Sequence, residues 1–594
     1  MRRFLLLAAV ARLLSAQSVG EIRGAVTRAL PVLQRSASSF VAQRGCVSCH
    51  HNILPILTLH SALDHGMEID RKVLDAVEEK TFREIRKPEA LDEAIQAANL
   101  NDPTPDESYL LMAAHSAGIQ PDLTLAVYAA RLASWQRDGH WVTSDFRPPH
   151  SSSPFTATAT AIRAIQLYMP EERKDARDAC FQRARRWLTA THPTSTEDAS
   201  FRLLGLVWAA ASANDIDAAR HDLLAFQKAA GGWPELPLYQ PDAYSTGQAL
   251  YALHEAGFSA TSAEWRRGLK FLISTQAPDG TWHVRTRMLS PASVSPKYFT
   301  TGFPYRKDEY LSYAGSCWAV MALLEALPGR ESAPQFTGRG LFDPSIPAAL
   351  FGTAQQLTSS LAAGLDPNYK TPHGTTLLMM AAPDAEKVKL LLAHGADPKI
   401  RTGSGFSALG IATAYRGTAA SILALLNAGA PIDDPPGVRF RNLPLVFASM
   451  TGDLENVTLL LQHGADPSAG SQGRTPLAQA VTFGYPDIVQ ALISAGAPAD
   501  MKESSGINLL HWAAIANRPE VIPALFMAGV PVNAQDENGY TPLMYAATID
   551  FGDTELVKTL LRAGADPGIR NGDGRNACEQ AKYYRHTQIE DALR

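Results

Sequence analysis

Cysteine is scarce in this chain, with five among 594 residues, and the formal net charge is only −5. No long apolar run follows residue 18. Each shortage excludes something. So few cysteines cannot build the dense disulfide framework that holds small secreted domains together. A near-neutral balance leaves no electrostatic footprint for a polyanion, so nucleic acid is not an expected partner. Nothing past residue 18 approaches the roughly 20 apolar residues that cross a bilayer, and no transmembrane helix is expected in the mature chain. What remains is the composition of a packed globular protein, 46% hydrophobic and 19% charged, at a length that calls for two or more domains.

The opening stretch "MRRFLLLAAVARLLSAQS" runs from two arginines through an apolar core to small residues, the order of a secretory signal peptide. Cleavage is expected near Ala16 to Ser18, with an uncleaved anchor or a buried N-terminal helix as the alternatives. The mature protein is therefore expected to be soluble and exported, in a periplasmic or extracellular space.

Two of the cysteines fall in "RGCVSCHHN", three positions apart and followed at once by a histidine. In an oxidising compartment a bare C-x-x-C reads as a disulfide or redox pair. The added histidine brings other chemistry, because two thiols can add to haem vinyl groups while the next side chain ligates the iron. The motif resembles the attachment site of c-type cytochromes. That resemblance implies one covalent haem c, with thioether bonds from Cys46 and Cys49 and with His50 as the proximal iron ligand. It covers five residues, so a zinc site, a Cys46 to Cys49 disulfide and chance all stay open. The distal ligand is equally open among His51, His60, His65, Met67, Met112, His115 and a vacant or loop-supplied position. Cys180, Cys317 and Cys578 lie far apart on helical segments and read as small buried hydrophobes.

Toward the C-terminus a glycine recurs after an apolar run in "LAAGLDP", "LAHGADP", "LNAGAPI", "LQHGADP", "ISAGAPA", "FMAGVPV" and "LRAGADP", at Gly364, Gly395, Gly429, Gly464, Gly496, Gly529 and Gly564. The period is about 33 residues. "GRTPLAQAVTFGYPDIVQALISAG" and "GYTPLMYAATIDFGDTELVKTLLRAG" resemble the ankyrin repeat. Thr475 and Thr541 are expected to cap a helix that accepts Pro476 or Pro542 in its first turn, and the glycines to close the second helix. In "FSALGIATAY", "LPLVFASMTG" and "INLLHWAAIA" the Thr-Pro pair is lost, which weakens single helix starts. An array of this kind normally docks a protein partner, and packing only on its own N-terminal half is the alternative.

The middle of the chain is helical in pattern. "QKAAGGW" and "QAPDGTW" share a glutamine, glycine and tryptophan (Gln227, Gly231, Trp233; Gln276, Gly280, Trp282), and "QRDGHW" is a shortened copy (Gln136, Gly139, Trp141). The spacing resembles the tryptophan-glutamine repeat of squalene-hopene cyclases and related prenyltransferase-like proteins, which implies an α/α toroid. Small-residue helices starting near Ile53, Glu107, Phe155, Ala199, Ala243 and Leu311 would line the ring. Outer partners follow near Arg71, Asp122, Glu172, Ile216 and Ser262, and the amphipathic stretch from Glu21 to Val41 is the expected sixth. The cyclase activity is not expected, since D-x-D-D, D-D-x-x-D and a zinc triad are all missing.

The expected fold class is therefore all-α, an α/α toroid (six-hairpin barrel) followed by an ankyrin-repeat solenoid. The boundaries are a signal peptide over 1–18, an N-terminal helix and haem-attachment loop over 19–51, the toroid over 52–328, a linker over 329–340, and about seven ankyrin repeats with a C-terminal cap over 341–594. Alternating helix directions place the haem loop on one rim with the long loops that carry Arg147, His150, Arg285, Arg287, Tyr305 and Asp308, candidates for an anion or propionate site. The expected role is electron transfer or redox sensing. The alternatives are haem-dependent conversion of a hydrophobic small molecule in the toroid cavity, and a haem-free scaffold.

Overall fold

The computed structural model describes residues 2–45, 47, 49–98, 100–145, 147–150, 152–288, 300–328, 345–433, 444–470, 474–503 and 505–594, without the side chains of residues 2–18 and of Cys49. Cys46 and the expected linker over 329–340 lie outside the described residues. All regular structure among the described residues is helical.

The N-terminal half holds α1 (Arg2–Gln43), α2 (Leu54–Asp64), α3 (Arg71–Thr81), α4 (Arg83–Arg86), α5 (Ala90–Gln96), α6 (Pro103–Ser116), α7 (Leu123–Ser134), α8 (Pro154–Tyr168), α9 (Lys174–Ala190), α10 (Thr196–Trp208), α11 (Ala213–Ala225), α12 (Ala243–Glu255), α13 (Ala263–Thr275) and α14 (Glu309–Leu324). Eight of these start on a side-chain cap; in α6, α8, α10 and α12, Asp102, Ser153, Ser195 and Asp242 accept from the amides of Thr104, Phe155, Asp198 and Ser245. The helices α2, α6, α8, α10, α12 and α14 pack each on the next, and α14 returns to α2. Their Ala, Ser and Thr side chains allow that close approach, as along the almost wholly buried "PFTATATAIRAI" of α8.

Outside this ring lie α3, α7, α9, α11 and α13. The remaining outer place, between α13 and α3, is taken by α1, which buries Ile22, Ala25, Val26, Ala29, Leu30, Leu33 and Ala37 along one face.

The glutamine, glycine and tryptophan turns explain how neighbouring outer helices are joined. Each indole nitrogen donates to the end of its own outer helix: Trp141 to Leu132 O at 2.7 Å, Trp233 to Leu223 O at 2.9 Å and Trp282 to Leu272 O at 2.8 Å. Each glutamine amide donates to the glycine carbonyl of its own turn and to a carbonyl of the next outer helix, at Cys180 for Gln136, Glu264 for Gln227 and Ala25 for Gln276. Its oxygen accepts from an arginine of that same helix: Arg183 at 2.7 Å, Arg267 at 2.8 Å and Arg28 at 2.5 Å. In the third copy the partner is α1, so the N-terminal helix is held by the same bonds that hold α9 and α13.

The C-terminal half stacks helix pairs. The seven glycines read from the sequence have φ between 82° and 98°, the left-handed closure of an outer helix. Thr475 and Thr541 cap Pro476–Phe483 and Pro542–Thr548 with proline in the first turn. Where the Thr-Pro pair is lost, Ser407 and Asn508 take the cap by accepting from Gly410 N and His511 N. Polar caps other than threonine thus rescue those starts.

The array docks on the ring through its own turns, at the points where its first helix of each pair gives way to the second. Trp135 donates to Ala414 O at 2.9 Å, Arg137 pairs with Asp487 at 2.8 Å and stacks on Tyr485, and Arg518 donates to Thr143 O. Tyr239 donates to Asp550, Asp550 N to Arg287 O at 3.3 Å, and Arg285 to Tyr584 O. Every ring residue in these contacts belongs to a segment leading from an outer helix into an inner one, so the array lies over that end of the ring. Finger tips of the array stay exposed at Pro372, His373, Gly403, Ser404, Glu537 and Asn538.

One buried cation holds the start of the stack. Lys387 Nζ donates to Ala349 O at 2.8 Å and Leu350 O at 3.2 Å, and its residue is fully buried. Burial pushes its pKa down to about 8, against the pull of Asp384. A lysine whose folded pKa is depressed contributes stability above its unfolded pKa and loses it as pH falls through the folded one. Stability is expected to rise by up to about 3 kcal/mol between pH 8 and pH 10.4 through this group. The comparison is with Lys387→Met in denaturant melts, where that increment should vanish.

Candidate functional site

The site is built around a single turn of π-helix at Cys49–Ile53, which runs directly into α2 and sets His50 and His51 under the array-covered end of the ring. His51 is stacked flat between Phe40 of α1 (centroids 4.9 Å, planes 12°) and Tyr313 of α14 (4.3 Å, 10°). His50 meets Tyr310 at 5.6 Å and His150 at 6.3 Å, the latter with planes at 89°.

His150 arrives on the long loop between α7 and α8. That loop is pinned by Asp102, which accepts from Thr143 Oγ1 at 3.0 Å and Ser144 Oγ at 2.8 Å, and by Tyr310, whose hydroxyl donates to Pro148 O at 3.3 Å. The imidazole then lies between Tyr109 (5.8 Å, 29°) and Tyr244 (6.2 Å, 79°), with Nδ1 3.2 Å from the Tyr244 hydroxyl. Tyr244 in turn donates to Glu197 Oε2 at 2.8 Å, and Thr156 donates to Glu197 Oε1 at 2.6 Å.

Burial dominates the electrostatics. It pushes the His50 pKa well down, helped by His51, Arg147 and His150, and takes His51 down to about 3. His150 is lowered by burial too, against Glu197 and Asp145. Glu197 is raised by burial, with the Thr156 hydroxyl, His150 and the Tyr244 hydroxyl opposing. All three imidazoles are neutral at neutral pH, which is the form that ligates metals.

The sequence-predicted rim residues divide into three sets. Arg147 and His150 stand with His50, but the Arg147 guanidinium is already paired with Asp145 by two contacts of 3.0 Å. Arg285 and Arg287 turn to the array instead: Arg285 binds Tyr584 O, and Arg287 lies 2.9 Å from the buried Glu235 beside Asp550. Tyr305 and Asp308 gather around His283, with its Nε2 2.9 Å from Asp308 Oδ2 and its ring 4.9 Å from Tyr305.

Of the distal candidates, only His51 is near His50. Met67 accepts from Arg23 at 3.4 Å, and His60 is paired with Glu78 at 2.7 Å. Together with His65, Met112 and His115, His60 lines a cavity of about 940 Å³ in the opposite end of the ring, walled also by Phe201, Trp208, Tyr251 and Trp318. Tyr109 borders that cavity and separates it from His150.

Sequence reading missed Tyr109, Tyr244, Tyr310 and Glu197. The signal for the tyrosines was a bulky ring interrupting an otherwise small-residue inner helix near its start. Glu197 gave no such signal. Cys180 and Cys317 are free and buried, and burial raises both thiols to about 12.

A haem would ask this site for neutral imidazole nitrogen, a dry surrounding and paired sulfurs. Cys46 and the Cys49 side chain lie outside the described residues. The imidazoles fit: desolvation of the half-buried His50 lowers its pKa, and His150 Nε2 is buried with no hydrogen-bond partner among the described residues. No group of three or more His, Cys, Asp or Glu side chains among the described residues is placed to hold a bare metal ion. No helix among them is long and apolar enough to cross a membrane.

Comparison with known proteins defines the class of the C-terminal half. The ankyrin family described as "Ankyrin repeats (3 copies)" matches residues 421–503 and 487–571. The mouse B-cell lymphoma 3 protein homolog is 29% identical over 31% of this chain and 34% of its own length. Human protein phosphatase 1 regulatory subunit 27 is 45% identical over 10% of this chain and 39% of its own. The chain thus spans between about a third and two fifths of these curated relatives. The human ASB11 ankyrin repeat domain is 24% identical, with a TM-score of 0.30, covering 42% of this chain and 96% of that one. The regular structure of the described residues is all-helical, and the C-terminal half holds ankyrin repeats, a module that binds other proteins.

Proposed function

We propose that this is an exported c-type haem protein for electron transfer or redox sensing. In this reading the helical ring is an α/α toroid of the squalene-cyclase type and the ankyrin array docks a protein partner. The observation that carries the proposal is that the histidine ending C-x-x-C-H is half-buried at the array-covered end of the ring, with its imidazole in ring contact with those of His51 and His150. Closure of the six inner helices and three equivalent glutamine, glycine and tryptophan turns support the toroid. The arginine-flanked apolar start supports export.

Cys46 and Cys49 would tether the group and His50 would hold its iron, which supplies a one-electron couple when bound. The chain's own contribution is to keep both imidazoles neutral, and to fix the buried His150 ring through Tyr244 and Glu197. The array rests on the same loops, so a partner on its exposed finger tips could bias this end of the ring.

Covalent attachment is tested by expression with cytochrome c maturation enzymes followed by a haem stain of the denatured protein. Staining is expected for the native sequence and complete loss for the Cys46→Ala, Cys49→Ala double variant. An unstained native chain would end the haem reading and leave the ankyrin scaffold.

A second reading, conversion of a hydrophobic small molecule, is favoured by the cavity of about 940 Å³ and its aromatic wall. It predicts a five-coordinate ferric spectrum that shifts with azide or peroxide, where electron transfer predicts a six-coordinate low-spin one.

A further inference from the structure

The haem reading leaves the second axial position open, and none of the side chains named for it from the sequence fills it well. A first-row metal binds imidazole nitrogen at about 2 Å, so two imidazoles on opposite sides of one metal have ring centroids about 6 Å apart. The His51 ring is 4.7 Å from that of His50, too close for such a pair, and lies sandwiched between Phe40 and Tyr313. His60, His65, Met112 and His115 belong to the far end of the ring.

Resting on the haem reading, we infer that His150 supplies the second axial nitrogen opposite His50, with Tyr244 and Glu197 as its positioning residues. Its ring centroid is 6.3 Å from that of His50, with the planes at 89°. Its two nitrogens have different surroundings. The Tyr244 hydroxyl spends its proton on Glu197 Oε2 at 2.8 Å, which leaves the phenol oxygen to accept from His150 Nδ1 at 3.2 Å. Thr156 holds the other carboxylate oxygen at 2.6 Å. The Nδ1 proton fixes the tautomer, so Nε2 carries the lone pair, and that atom is the one buried without a partner among the described residues. An outer hydrogen bond to one nitrogen and a free lone pair on the other is how ligating histidines are held. The residue reaches His50 from far along the chain, on a loop that Asp102 and Tyr310 clamp in place.

The test uses the full-length, haem-loaded protein. Native ferric protein is expected to be low spin, with the highly anisotropic EPR signal that perpendicular imidazole planes produce. His150→Ala should keep the haem stain, turn high spin, and regain the low-spin spectrum when imidazole is added. His150→Met should stay low spin but acquire the charge-transfer band of thioether ligation. Tyr244→Phe should retain both nitrogens while shifting the midpoint potential. A stained His150→Ala protein with the native low-spin spectrum would overturn the assignment and leave the haem reading intact. A native protein that does not stain would overturn both. Should the alanine variant fail to accumulate, pulsed EPR on the native protein decides: nitrogen couplings from two imidazoles support the assignment, and couplings from one refute it.

Discussion

Gly280→Ala is expected to destabilise the protein by about 2 to 5 kcal/mol and to loosen the N-terminal helix from the ring. Two effects add. Gly280 has φ of 90°, where an L side chain costs about 1 to 2 kcal/mol. A Cβ there would also fall within 3 Å of the Arg28 carbonyl and of Ala29 N, backbone atoms of α1 that cannot step aside alone. Overpacking of that kind costs about 1 to 3 kcal/mol more. Gly302 isolates the first effect, because its φ is 86° and nothing among the described residues lies within 4 Å of its would-be Cβ. Gly302→Ala should therefore cost only about 1 to 2 kcal/mol. Denaturant melts of the two variants, with limited proteolysis of α1, make the comparison. Equal losses would mean that the close approach of Gly280 to α1 contributes nothing.

The same turn marks how far sequence carries. Gln276, Gly280 and Trp282 repeat a local pattern, and local patterns translate directly into hydrogen bonds; that α1 stands in the outer place follows from the repeat having one outer helix too few. The ankyrin glycines are legible for the same reason, since each closes a helix within its own repeat. The loop residues are not periodic, and there sequence gave types without destinations. Arg285 and Arg287 read as anion ligands because arginines on a long loop suit an anion, yet Arg285 binds a carbonyl 299 positions away. His150 looked like one more rim residue, and only the fold brings it to His50. The docking of the array was equally hidden, because Arg137, Arg518 and Asp550 occur once each and no period announces them. The cavity beyond Tyr109 is lined by residues whose spacing is that of any packed inner helix.

The Arg287 junction should produce the other large effect: Arg287→Met is expected to cost about 3 to 5 kcal/mol and to release the array from the ring. Arg287 is buried, as is Glu235, and Nε lies 2.9 Å from Oε2 without the alignment of a good hydrogen bond. Asp550 and Asp242 add negative charge around Glu235, and burial already pushes that carboxyl well up in pKa even with the arginine present. Removing the cation strands the carboxylate in a dry junction, where the array's Asp550 N meets the Arg287 carbonyl and Met288 bridges to Ile549. The sign with pH follows from the raised carboxyl. A Glu whose folded pKa lies above its unfolded value contributes stability at low pH and loses it as pH rises through the unfolded pKa toward the folded one. The deficit of Arg287→Met should therefore be smaller at pH 5 than at pH 8. Adding Glu235→Gln should recover part of it, because a buried pair replaced at both ends leaves no unpaired charge. Melts at the two pH values, with small-angle scattering to detect array release, give the outcome. A deficit independent of pH and unrelieved by the second substitution would show that Arg287 acts through packing alone.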